Sequence, residues 1–109
     1  MKVAIVGSRN LKIFDIEKYL PKDTTEIVSG GAKGIDTCAK VTAQKMGIKI
    51  TEIFPEYRKY GKGAPIKRNL QIIEYSDEVI AFWDMKSRGT KNVIDTCKKL
   101  NKKITVHIF

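Results

Sequence analysis

Short apolar runs rich in β-branched residues alternate with stretches of helical periodicity along the chain. The first run, Lys2–Val6, breaks at Gly7-Ser8-Arg9-Asn10 and predicts a strand. Asp15 is placed to cap a short helix reaching Leu20, which Pro21 closes. Glu26–Ser29 predicts the second strand, followed by the tight turn Ser29-Gly30-Gly31-Ala32-Lys33-Gly34. Ile35, Cys38, Ala39, Thr42, Ala43 and Met46 then fall on one helical face, and Gly47 supplies the stop. Ile48–Phe54 reads as strand three, and residues 55–64 as a loop rich in Gly, Lys and Tyr. Pro65 suits the first turn of a third helix running to about Tyr75. Glu78–Trp83 is strand four and Asp84–Gly89 a polar loop. Thr90 is the expected cap of a fourth helix through about Leu100, with Val93, Ile94, Cys97 and Leu100 inward. Ile104–Ile108 closes the pattern as strand five.

Strict β-α alternation predicts a parallel sheet with helices on both faces. Right-handed crossovers make a Rossmann-like three-layer α/β sandwich the expected solution, with a five-stranded parallel sheet in the order 3-2-1-4-5. No repeat, linker or low-complexity tract interrupts the 109 residues, so residues 1–109 read as a single domain. Exposed sheet edges and helix faces in so small a sandwich lead us to expect a homo-oligomer.

A hydrophobic content of 42% and a charged content of 30% are those of a globular chain. No apolar run approaches the roughly 20 residues of a membrane-spanning helix. The run Val3–Val6 is too short for a signal-peptide core, so a cytoplasmic location and no membrane partner are expected. Cys38 and Cys97 have neither metal-ligand nor CxxC spacing and read as packing residues. His107, the sole histidine, lies in the last strand and reads as a sheet residue. The expectation is therefore no metal and no cofactor.

Charge changes the picture more. Lys and Arg total 21 against 12 Asp and Glu, a net charge of +9. In an open α/β sheet, ligands bind beyond the carboxyl ends of the strands, at the point where strand order reverses. The loops predicted there, 7–10, 29–36, 54–68 and 83–91, carry ten basic residues against Asp36, Glu56 and Asp84. Most of the surplus charge thus gathers at one edge, as an anion-binding edge requires. Two of these loops are glycine-rich and run into helices, so their N–H groups face an incoming anion. Neither is a G-x-G-x-x-G fingerprint or a P-loop. Arg9 and Arg88 offer guanidinium forks suited to phosphate. Asp36 has two readings, a bond to a ribose hydroxyl or simple stabilisation of its helix start. Ser29 and Thr90 either donate to phosphate or cap backbone N–H groups. Trp83 either stacks on a base or packs beneath a loop, and Tyr57 and Tyr60 lie among Arg58, Lys59 and Lys62.

The ordered set Gly7-Ser8-Arg9, Ser29-Gly30-Gly31-Ala32-Lys33-Gly34-Ile35-Asp36, Arg68-Asn69 and Ser87-Arg88-Gly89-Thr90 resembles the SLOG superfamily. That superfamily joins the DNA-processing protein A (DprA/Smf) group to the LOG nucleoside-monophosphate phosphoribohydrolases. The small YspA/YpsA-related branch is the most similar. The resemblance implies a SLOG-like Rossmannoid domain. It also implies a ligand pocket formed by these motif residues, which Trp83 joins as a candidate only by its place at the end of strand four.

The leading expectation is binding of a nucleotide-derived small molecule. LOG enzymes use an Arg early in the helix before strand four, a position matched by Arg68, the candidate catalytic residue. Their Glu, three residues after the Thr of PGGxGTxxE, is replaced here by Val93. Asp95 lies about 200° around a helix from that position. A hydrolase reading would therefore draw its carboxylate from Asp84 or Asp95. DprA proteins share the Ser-Gly-x-Ala-x-Gly-Ile-Asp and Arg-Asn elements and bind single-stranded DNA, which the charge also suits. In that alternative Lys59, Lys62, Lys67, Arg68, Lys86 and Arg88 contact phosphates, and Tyr57, Tyr60 or Trp83 stack on bases.

Overall fold

β-branched side chains dominate β1 (Lys2–Gly7), which lies at the centre of the sheet and is buried on both faces, as the middle of a parallel sheet demands. β2 (Glu26–Ser29) and β3 (Lys49–Glu52) extend the sheet on one side. β4 (Glu78–Trp83) and β5 (Ile104–Ile108) extend it on the other. The structure, a computed structural model, describes residues 1–13 and 15–109 of the chain. All pairings are parallel and the order is β3-β2-β1-β4-β5, as predicted. The order reverses between β1 and β4, where Val3 to Gly7 pair with Glu78 to Phe82.

Alternation along each strand divides the core in two. Val3, Ile5, Ile27, Ile80 and Phe82 face Ile16 and the apolar stripe of α1 (Ile35–Met46). Ala4, Val6, Val28, Val79 and Ala81 face Ile72 and Ile73 of α3 (Ala64–Tyr75) and Val93, Ile94 and Cys97 of α4 (Arg88–Lys99). Burying each of the larger aliphatic side chains is worth about 1.5–3 kcal/mol relative to exposure. Burial also pushes the Cys97 thiol up to about 11, which makes it an inert packing group. Cys38 is only partly buried. His107 stacks on Phe82 with ring centroids 5.4 Å apart.

Several boundaries depart from the pattern. The helix expected over Asp15–Leu20 is a 3-10 turn, Ile16–Tyr19, and Asp15 makes no cap bond. Its carboxylate instead meets Lys18 at 2.8 Å. β3 is shorter than Ile48–Phe54, its last bond to β2 being from Ile53 N–H to the Ser29 carbonyl. Residues 55–64 contain α2 (Tyr57–Tyr60) and a 3-10 turn, Gly61–Gly63, before α3 begins at Ala64. Helix α4 starts three residues earlier than expected. Ser87, not Thr90, is its cap, and the Ser87 hydroxyl accepts from Thr90 N–H at 3.3 Å. Met46 and Leu100, assigned to inward faces by periodicity, are exposed, Met46 as the last residue of α1 and Leu100 as the residue that caps the end of α4. No described helix is long and apolar enough to cross a membrane.

Candidate functional site

Beyond the carboxyl ends of β1 and β4 lies a cleft of about 480 Å³. Its walls are the turn after β1 (Gly7, Arg9, Asn10), the turn after β2 (Gly30, Ala32, Asp36), helix α3 (Pro65, Arg68, Asn69) and the start of α4 (Ser87, Gly89, Thr90). Asp84 and Lys86 close one side, and Val6, Ile72 and Val93 contribute apolar surface. This is where reversed strand order leaves a crevice between diverging connections.

Arg68 ties the walls together. Its Nη1 donates to the Gly30 carbonyl at 2.9 Å and its Nε to Asn69 Oδ1 at 3.0 Å. Asn69 Nδ2 donates onward to Asn92 Oδ1 at 3.3 Å, linking α3 to α4. Two of the five guanidinium N–H donors are thereby engaged, leaving others for a ligand. Burial lowers the Arg68 pKa, the Asp36 charge opposes that shift, and Arg9 adds to it. Burial likewise raises the Asp36 pKa, against the Ala32 N–H bond at 3.1 Å and the attraction of Arg68. A Cβ at Gly30 would sit 2.5 Å from Arg68 Nη1, so glycine is what admits the guanidinium.

The opposite wall is a braced loop. Asp84 N–H donates to Ser8 Oγ at 3.1 Å, and Asp84 Oδ1 accepts from Lys86 and Ser87 N–H at 2.8 Å each. Those backbone bonds hold the Asp84 carboxyl below its usual range, keeping it ionised. Trp83 Nε1 donates to the Ser87 carbonyl at 3.0 Å. The described ion pairs involve Lys18, Lys40, Lys45, Lys49, Lys91 and Lys103, all outside the cleft lining. Arg9, Arg68 and Lys86 are therefore cations without an ion pair among the described residues.

Residues 1–56 match the family model of DNA recombination-mediator protein A. The chain belongs to this family. The matched segment carries Gly7-Ser8-Arg9 and Ser29–Asp36, and the SLOG relationship expected from those motifs is thereby shown. The fold is similar to that of DNA processing protein A from Helicobacter pylori, with a TM-score of 0.75 and 26% identity. The match covers 97% of this chain and 64% of that one, so the present chain spans less than two thirds of its relative's length. The work on the Helicobacter protein concerns its single-stranded DNA binding mode. No curated protein matches the chain.

Of the residues expected from the recombination-mediator motifs, Gly7, Arg9, Gly30, Ala32, Asp36, Arg68, Asn69, Ser87, Gly89 and Thr90 line the cleft. Ser8, Ser29, Gly31, Lys33, Gly34, Trp83 and Arg88 do not. Ser8 and Ser29 are buried and accept backbone N–H bonds, Ser8 from Asp84 and Ser29 from Gly31. Gly31 makes room for the Phe54 ring and Gly34 for the Arg9 backbone. Trp83 braces its loop, and Lys33 and Arg88 are exposed. Val93, at the position of the LOG-type Glu, presents apolar surface, and Asp95 pairs with Lys91 at 2.9 Å outside the lining. Sequence reasoning missed Asn10, Pro65 and the Asn92 support. Asn10 adjoins Arg9 and was available to find, whereas Asn92 enters only through the packing of α3 on α4.

Proposed function

We propose that the protein binds single-stranded DNA, seating the phosphate backbone in the cleft against Arg9, Arg68 and Lys86. The observation that carries this reading is that these three cations lack ion pairs among the described residues, while the two cleft carboxylates, Asp36 and Asp84, accept backbone N–H bonds. Family membership and the single-stranded DNA binding of the Helicobacter relative support it. Phe54 and Tyr57, both exposed and flanking the turn after β2 and the Arg68 side respectively, offer faces for bases.

The test is anisotropy of a labelled oligonucleotide between about 50 and 200 mM salt, where several phosphate contacts change affinity by orders of magnitude. Each of Arg9→Ala, Arg68→Ala and Lys86→Ala should flatten the slope of log affinity against log salt by about 0.7. A flat slope in the unmodified protein overturns the proposal.

The volume of the cleft favours a second reading, binding of a free nucleotide-derived ligand. About 480 Å³ falls within the roughly 300–1,000 Å³ typical of small-molecule sites. Complete displacement of the oligonucleotide by a mononucleotide, with a shallow salt slope, would favour that reading over DNA.

A further inference from the structure

Among the described residues, those with a positive φ are Gly31, Gly34, Gly47, Gly61, Asn101 and Met85. Glycine has no Cβ to clash there, and asparagine tolerates the conformation through its short polar side chain. Met85, at φ 64°, has neither excuse. Its Cβ crowds the neighbouring carbonyl oxygen, so backbone conformation alone argues against methionine at this position.

The loop around Met85 is not free to relax. Asp84 Oδ1 accepts from Lys86 and Ser87 N–H, Ser8 Oγ accepts from Asp84 N–H, and Trp83 Nε1 donates to the Ser87 carbonyl. Strain of this kind persists where the surroundings enforce it, and it collects at binding sites. Asp84 and Lys86, on either side of Met85, both line the cleft, so the strained residue stands on its rim. Met85 is also 61% exposed. A single exposed methionine is ordinary. A methionine held in costly backbone on the rim of the ligand cleft, where glycine or asparagine would sit free, is not.

We propose, on the single-stranded DNA reading of the cleft, that Met85 meets a base of the bound strand while Arg9, Arg68 and Lys86 hold its phosphates. Cations grip a backbone and leave its bases in water. A polarisable, unbranched thioether lies well against a π-system and adapts to its shape. Every base has such a face, so the contact serves any sequence. The braced loop presents the side chain in place, which reduces the ordering that binding must impose.

Anisotropy titrations with two labelled strands of equal length test the proposal, one carrying bases and one built of abasic nucleotides. Met85→Gly and Met85→Asn relieve the backbone and remove the apolar side chain, so neither is expected to melt below the parent. Their affinity for the base-bearing strand should fall about 2- to 10-fold. The salt slope should stay unchanged, because no phosphate contact is lost. On the abasic strand both should match the parent. Met85→Leu keeps an apolar side chain and should retain most of the parent's preference for bases. Parental affinity in both the glycine and asparagine variants overturns the proposal, as does an equal loss on the two strands or a melting temperature well below the parent's in both. A parent that binds neither strand, or binds with a flat salt slope, overturns the DNA reading of the cleft and the base contact with it.

Discussion

Gly30 and Gly34 stand four residues apart in one turn, yet a methyl group means different things at the two. At Gly30 the added Cβ meets the tip of Arg68, which can swing away, so Gly30→Ala should fold. It should weaken oligonucleotide binding toward the level of Arg68→Ala, as read by titration. At Gly34 the Cβ falls 2.3 Å from the Arg9 carbonyl oxygen, on a backbone with φ +75° and ψ −122°. That conformation alone costs a non-glycine residue about 1–3 kcal/mol, so thermal unfolding of Gly34→Ala should begin markedly earlier. Asp36 separates the two functional readings. Its carboxyl pKa is raised, so a falling pH protonates it and removes a negative charge from beside Arg68. Binding of a polyanion should strengthen on acidification, and Asp36→Asn should bind DNA more tightly at neutral pH with less pH dependence. A nucleotide held through its ribose hydroxyl would bind Asp36→Asn less well.

Helix α4 shows what an element owes to its first residue. Ser87→Ala removes the hydroxyl that accepts from Thr90 N–H and should cost about 1 kcal/mol, measured by denaturant unfolding. The sequence places two hydroxyl residues, Ser87 and Thr90, three apart before one apolar stripe. Periodicity locates that stripe but does not say which hydroxyl begins the helix. The decision belongs to the loop, because Asp84 fixes Ser87 N–H and Trp83 fixes the Ser87 carbonyl. The strands were legible for a simpler reason: β1, β2 and β4 are apolar on both faces, and only a central parallel sheet accommodates them. β3 was overextended because Ile48, Ile53 and Phe54 continue the apolar run past the residues paired with β2, Ile48 and Ile53 packing against the core from outside the strand. Half-legibility at the site has the same origin. Motifs announce that a turn is special, whereas tertiary contacts decide whether Ser29 faces a ligand or, as here, Gly31 N–H.

Across the whole molecule, positive charge and ion pairing are separated in space. Pairs decorate the helices and the far end of the sheet, while the cleft cations repel one another across a cavity. Screening relieves that repulsion and also competes with phosphate. Added sodium chloride should therefore raise the melting temperature of the free protein while lowering its affinity for DNA. A melting scan and a binding titration over the same salt series check the opposed signs. A short oligonucleotide at low salt should raise the melting temperature further, because binding to the native state stabilises it by mass action.

Trp83 is the sole tryptophan, and its indole N–H is bonded to the Ser87 carbonyl at the edge of the cleft. One chromophore thus sits on the brace of a loop that walls the cleft. Indole emission shifts with the polarity and hydrogen bonding around the ring, so its colour reads the state of residues 83–87 without a label. Movement of Ser87 on loading the cleft would be followed optically in real time, separately from melting of either helical layer.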